Sequence, residues 1–262
     1  MIRDLGALYL KDQPSKSQLI QPRPFCHALV LIPCSEQKNV AGVQGLGQPF
    51  MNIQNLRNRL LQIVQLTPNL ADRPENLRGI LNPNAVLTRA IDLYKGRFYA
   101  KGGNSLRAIL SGSHPSTSVT IVSAFYGLVK LDEDLKEYDL KMGDTLHNGM
   151  KVYEFWQQNQ LWQILLNHIT QNSITHVWSL LPDSLPDVPY HRVFNQLWRV
   201  LRNTQVQCFH AEVLGAGSGT GFKRAEWLNA VLNANPQYLV GMPFPPVRFP
   251  AIPRCTFNYA RC

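Results

Sequence analysis

Hydrophobic positions along the chain follow two different periods. Four short runs rich in aliphatic and β-branched residues, 27–33, 119–124, 174–181 and 206–214, read as buried strands, since such residues fit a pleated surface. Between these runs apolar residues recur at helical spacing. Ile53, Leu56, Leu60, Ile63 and Val64 predict a helix within 52–65, and Val86, Leu87, Ala90, Ile91 and Leu93 predict another within 84–94. A short helix follows at 104–111. The stretch 151–169 predicts one tryptophan-rich helix, whose Phe155, Trp156 and Trp162 belong in a core more often than on a contact surface. Helices at 189–203, with Val193, Leu197 and Val200 inward, and at 222–233 complete the pattern. The polar, proline-containing segment 67–83 predicts a surface excursion.

Strands alternating with helices predict an α/β fold over 26–235: a single mostly parallel or mixed sheet with helices on both faces. The flanks read differently. Residues 1–25 are rich in Gln, Pro and Ser and predict an irregular N-terminal arm. Residues 236–262, with six prolines by Pro253, predict a tail that packs as extended chain or stays loose.

Charge changes this picture. Lys and Arg number 26 against 17 Asp and Glu, a formal net charge of +9, and six of the acids crowd into 130–144. Outside that stretch 23 basic residues face 11 acidic ones, so the remaining surface favours a polyanion, with nucleic acid the commonest in a cell. No apolar run reaches the length of a membrane span, and the first residues lack the build of a signal peptide. The five cysteines, Cys26, Cys34, Cys208, Cys255 and Cys262, are odd in number and lack a Cys-x-x-Cys pair, which argues against a disulfide framework and a zinc knuckle. A reduced, cytoplasmic protein is expected. The seven histidines are scattered, so neither a metal nor a cofactor is expected.

Candidate chemistry lies where strands end, because open α/β sheets bind ligands at the carboxyl edge. The first strand stops at Pro33 and delivers Cys34 and Ser35. Cys34, with Lys38 four residues on, is a candidate nucleophile, although a single cysteine is more often a small buried hydrophobe. Ser35 can bind a phosphate or cap the next segment. The second strand runs into Phe125-Tyr126-Gly127, where the rings can stack on a base and the glycine lets a backbone approach; for Phe125 a core role is the stronger reading. Asp139, after Tyr138, can meet a base edge, act as a general base or merely solvate a loop. The turn 215–221, carrying Gly217, Gly219 and Gly221 ahead of Lys223 and Arg224, offers backbone N–H groups, a helix dipole and two cations to one phosphate, or is simply a flexible turn. It is neither a Walker A sequence nor the dinucleotide fingerprint.

Taken in order, Ile32-Pro33-Cys34-Ser35 with Lys38, Asp92-Leu93-Tyr94-Lys95-Gly96, Ser123-Ala124-Phe125-Tyr126-Gly127-Leu128 and Tyr138-Asp139 resemble the YaaA-like superfamily of peroxide-stress proteins. The match is best over 27–142, and the glycine-rich turn with Lys223-Arg224 looks like the basic C-terminal element of that family. The Pro-Cys-Ser turn is also similar to the core domain of archaeosine synthase, but Lys38 is followed by Asn39-Val40 where that enzyme has Pro-Tyr.

The resemblance implies a compact α/β protein that binds DNA and limits oxidative damage, with no settled catalytic activity. It places Ser35, Lys38, Asp92, Tyr94, Ser123, Tyr126, Gly127 and Tyr138 at a nucleotide or base pocket. The alternative is an enzyme acting on a modified nucleobase or nucleotide through Cys34 or Asp139. The expected partner is nucleic acid, DNA first.

Overall fold

The computed structural model describes residues 28–184, 188–214, 219–240, 252 and 255–262. The predicted arm 1–25 lies outside them, as does Gly217. Strands β1 (Ala28–Pro33), β2 (Thr117–Ser123), β3 (Gly127–Lys130), β4 (His176–Ser179), β5 (Gln207–Leu214) and β6 (Thr256–Arg261) form one six-stranded sheet in the order β6-β5-β4-β1-β2-β3. The four inner strands run parallel, and the edge strands β3 and β6 pair antiparallel with β2 and β5. The expected mixed α/β sheet is therefore present. Strand β1 sits at its centre, and Ala28 to Ile32 are fully buried, which is why this run is unbroken in its hydrophobicity.

Helices cover both faces. Crossing from β1 to β2 places α1 (Ile53–Gln65) and α2 (Arg97–Leu110), while α3 (Val152–Gln158), α4 (Leu161–Gln171) and α5 (Asn195–Leu201) belong to the connections that run back through β4 to β5. Helix α6 (Thr220–Ala234) follows β5 and packs against α2.

Several helices differ from their predicted extents. The helical period over 84–94 yields only one turn, Ala90–Leu93, because Thr88–Arg89 pair antiparallel with Asp134–Leu135 and leave Val86 and Leu87 exposed. Long-range pairing outweighs local periodicity there. The predicted helix 104–111 begins at Arg97, seven residues early. The tryptophan-rich helix is two helices, broken where Gln160 takes a left-handed φ of 57°. Phe155 and Trp156 are buried, as core aromatics should be, and the Trp156 indole donates to Ala124 O at 2.8 Å. The predicted excursion 67–83 contains two short helices, Pro68–Ala71 and Pro74–Arg78, each opened by its proline. Within the expected tail, Thr256–Arg261 form the edge strand β6.

Between β2 and β3 the chain turns in a tight hairpin that no sequence period announced. Gly127 opens β3 at φ +68°, and a side chain there would meet the Trp156 ring at 3.0 Å. Together the two favour glycine. The buried Arg57 of α1 clamps this hairpin: its Nε donates to Tyr126 O and its Nη2 to Leu128 O, each at 2.8 Å, and its Nη1 pairs with buried Glu133.

Candidate functional site at the carboxyl edge of the sheet

The sheet delivers the ends of β1, β2, β4 and β5 to one rim, and a cleft of about 740 Å³ opens on it. Its walls are Cys34 and Ser35 from the end of β1, Asp139 and Lys141, Asp183 and Tyr190, His210 and Glu212 on β5, and Gly221 and Arg224 at the start of α6. Another cavity of about 710 Å³, lined by His114, Thr117 and Lys130 at the opposite edge, collects none of the predicted site residues.

The β1 turn is built by the Tyr94-Lys95-Gly96 segment. Ser35 Oγ accepts from the Gly96 N–H at 2.8 Å and from the Gln37 N–H at 3.2 Å, while Tyr99 donates to Pro33 O at 2.9 Å. A Cβ on Gly96 would stand 2.2 Å from Ser35 Oγ. Glycine is thus required by close approach. Gly96→Ala is expected to expel the Ser35 hydroxyl, break both bonds and cost about 1–3 kcal/mol in urea unfolding; an unchanged midpoint would show that the turn adapts freely.

Beneath Cys34 lies a buried phenol network. The Tyr94 and Tyr138 hydroxyls share a hydrogen bond of 3.0 Å, Tyr138 and Ser123 share one of 2.8 Å, and Ser123 Oγ accepts from the Tyr126 N–H at 2.9 Å. Cys34 Sγ lies 3.2 Å from the Tyr190 hydroxyl. Burial pushes Tyr94, Tyr138 and Tyr190 well above the usual phenol range, so all three keep their protons at neutral pH. The half-buried Lys38 holds its amine 4.1 Å over the Tyr138 ring, and burial pulls its pKa down against the opposing pull of Cys34 and Asp139.

Asp139 is set by residues that sequence periodicity did not single out. Its N–H donates to Asn76 Oδ1 at 2.7 Å, its carbonyl accepts from Arg73 at 3.0 Å, and its carboxylate lies 3.6 Å from the same guanidinium. Arg73 is in turn fixed by both oxygens of Asp144.

The predicted residues fall into three groups. Cys34, Ser35, Asp139, Gly221 and Arg224 line the cleft. Lys38, Tyr94, Ser123 and Tyr138 lie behind it, as a support for the β1 turn. The others point elsewhere: Asp92 binds Arg89 and Arg107, each at 2.6 Å, whose hydrogen bonds outweigh burial and hold its carboxyl below the usual range. Phe125 and Tyr126 are buried edge to face, with the Tyr126 hydroxyl donating to Lys136 O and accepting the Lys136 N–H, so neither ring forms a cleft wall. Lys223 pairs with Glu226 at 2.6 Å, and Gly219 is the residue before α6.

Tyr190, His210 and Glu212 were not singled out. His210 and Glu212, two apart on a strand, share one face by the alternation of β structure, a signal available in the sequence. Tyr190 carried none.

These features define an α/β protein whose carboxyl sheet edge is a polar cleft backed by buried phenols. The chain belongs to the family described as Peroxide stress protein YaaA, whose model matches residues 46–184. That match includes Asp92, Tyr94, Ser123, Tyr126, Tyr138 and Asp139 but neither Cys34 nor Arg224. No curated protein matches the chain. Among the described residues no helix is long and apolar enough to cross a membrane.

Proposed function

We propose that this protein binds DNA, with its basic surface along the backbone and the carboxyl-edge cleft holding a single nucleotide or base. The observation that carries this reading is the gathering of Cys34, Ser35, Asp139 and Arg224, distant in sequence, around one cleft of about 740 Å³ in a chain of net charge +9. Such a cleft is large enough for one nucleotide. Its walls offer what a nucleotide needs: a guanidinium for phosphate, and carboxylate and hydroxyl groups for a base edge or sugar. The excess of Lys and Arg supplies the sequence-independent attraction. Membership of a family named for peroxide stress extends the role to protecting or handling DNA under peroxide.

Fluorescence anisotropy against duplex, nicked and single-stranded DNA, with tRNA beside them, tests this reading. With even three phosphates neutralised, affinity for duplex should fall about 40-fold between 50 and 200 mM salt. Absence of binding at low salt, where the phosphate attraction is strongest, would overturn the proposal.

A further inference from the structure

Most charges around the cleft are matched, and of the two without an ion pair among the described residues Glu212 is exposed and Arg224 is buried. Glu36 pairs with Lys141 at 2.6 Å, Asp183 with Arg192 at 2.7 Å, and Asp139 lies 3.6 Å from Arg73. Arg224 stands apart. It is 6% exposed, its Nε is buried without a hydrogen-bond partner, and no carboxylate lies within ion-pair distance among the described residues. Glu212 acts on it only at longer range, and burial pulls its pKa down to about 10, which still leaves it charged at neutral pH. Native proteins rarely leave a buried guanidinium N–H in this state, because it has lost water without gaining an acceptor. Arg224 lines the cleft from the first turns of α6, a helix of 15 residues whose dipole presents its positive end at the same wall.

We infer that Arg224 is the anion-recognition residue of the cleft and that the group it takes is a terminal phosphate, a phosphomonoester, on a free nucleotide or at the end of a strand. The shape selects the monoester. An internal phosphodiester carries chain on both sides and cannot bring its oxygens down to a side chain that is 94% buried in the wall, whereas a terminal phosphate projects from its sugar. The planar guanidinium matches two phosphate oxygens at once, and the dianion of a monoester answers both the guanidinium and the helix dipole. Lys223, the neighbouring cation, is already satisfied by Glu226 and plays no part. The inference rests on the reading of the cleft as a nucleotide site and specifies what anchors the ligand there.

Calorimetric titration with dAMP, dGMP, their nucleosides and inorganic phosphate, together with 5′-phosphorylated and unphosphorylated oligonucleotides, tests it on the full chain. Wild type should bind a monophosphate at least about tenfold more tightly than its nucleoside, Arg224→Met should lose that preference, Arg224→Lys should keep part of it, and Lys223→Gln should keep all of it. Because Arg224→Met removes an unpaired buried charge, its melting temperature should equal or exceed that of wild type, and monophosphate should raise the wild-type value only. A preference for the phosphorylated oligonucleotide over the free nucleotide would assign the ligand to strand ends, and the reverse to the nucleotide pool. If Arg224→Met melts lower and binds monophosphate unchanged, Arg224 is structural and the inference falls. If no monophosphate binds although duplex DNA does, the inference alone falls; monophosphate binding without DNA binding upholds it and removes the DNA reading.

Discussion

Replacing Glu133 by Gln is expected to destabilise the fold by about 3–5 kcal/mol, because it leaves the Arg57 guanidinium charged and uncompensated in the interior. Arg57 is 4% and Glu133 1% exposed, so water cannot take over the lost interaction. The damage should be local in origin and global in effect. Arg57 holds the carbonyls of Tyr126 and Leu128, and Glu133 also accepts the Lys130 N–H at 3.3 Å, so the pair ties α1 to the turn and to strand β3 of the β2–β3 hairpin. The double replacement Arg57→Met with Glu133→Leu should lose less than Glu133→Gln alone, since removing both charges leaves no orphaned ion. Urea unfolding of the three variants gives the comparison. A Glu133→Gln midpoint equivalent to within 1 kcal/mol of wild type would mean that Arg57 finds another acceptor.

Acid should unfold the protein earlier than an ordinary carboxylate set would predict, through a pair of histidines at the end of β4. Ser179 is fully buried, and its Oγ lies 2.9 Å from His191 Nδ1 and 3.4 Å from His210 Nδ1, with the two rings 4.2 Å apart. One hydroxyl can donate to one Nδ1 and accept from the other, so two neutral rings are satisfied. Two imidazolium ions are not, since like charges would then sit side by side. His191 also stacks on Trp198 at 5.0 Å. Burial, with His210 and then Arg192, pushes His191 down to about 3, and burial with Arg224 lowers His210, against the opposite pull of Glu212 and Asp183.

The sign follows from proton counting. Between the folded value and the ordinary 6.5 the unfolded chain binds the proton and the folded chain does not, so stability is complete above pH 6.5 and is lost as the pH falls toward 3. For the half-buried His191, discounted for solvent screening, this amounts to about 3 kcal/mol. His191→Asn, which keeps an amide near the Nδ1 position, should flatten the fall in melting temperature between pH 6.5 and 4 relative to wild type. Parallel curves for the two proteins would exclude His191 as the acid-sensitive group.

Much of this architecture is legible from local chemistry. The unbroken apolar run Ala28-Leu29-Val30-Leu31-Ile32 reads as a buried strand, and the structure sets it at the centre of the sheet. The alternation of strands and helices specifies a parallel interior, and the strand ends direct attention to Cys34, Ser35 and the α6 turn. Gly96 and Gly127 are also marked in the sequence, though the contacts that require them, Ser35 and Trp156, are not.

Pairing across long separations lay beyond that reading. Thr88–Arg89 leave the helical pattern because Asp134–Leu135 come alongside them, and Phe125-Tyr126 look like a ligand platform until the hairpin buries them. Lys223 and Arg224 are equivalent in sequence, adjacent and both basic. Lys223 pairs with Glu226 one turn on along α6, while the packing of that helix buries Arg224 in the cleft wall with its Nε unpartnered. Periodicity and propensity are properties of neighbours along the chain, so the sequence by itself determined most of the elements, the sheet type and the rim on which the cleft opens. Whether Arg57 and Asp139 are matched and Arg224 left open depends on distances between residues far apart in the chain, and the tertiary structure alone decided that.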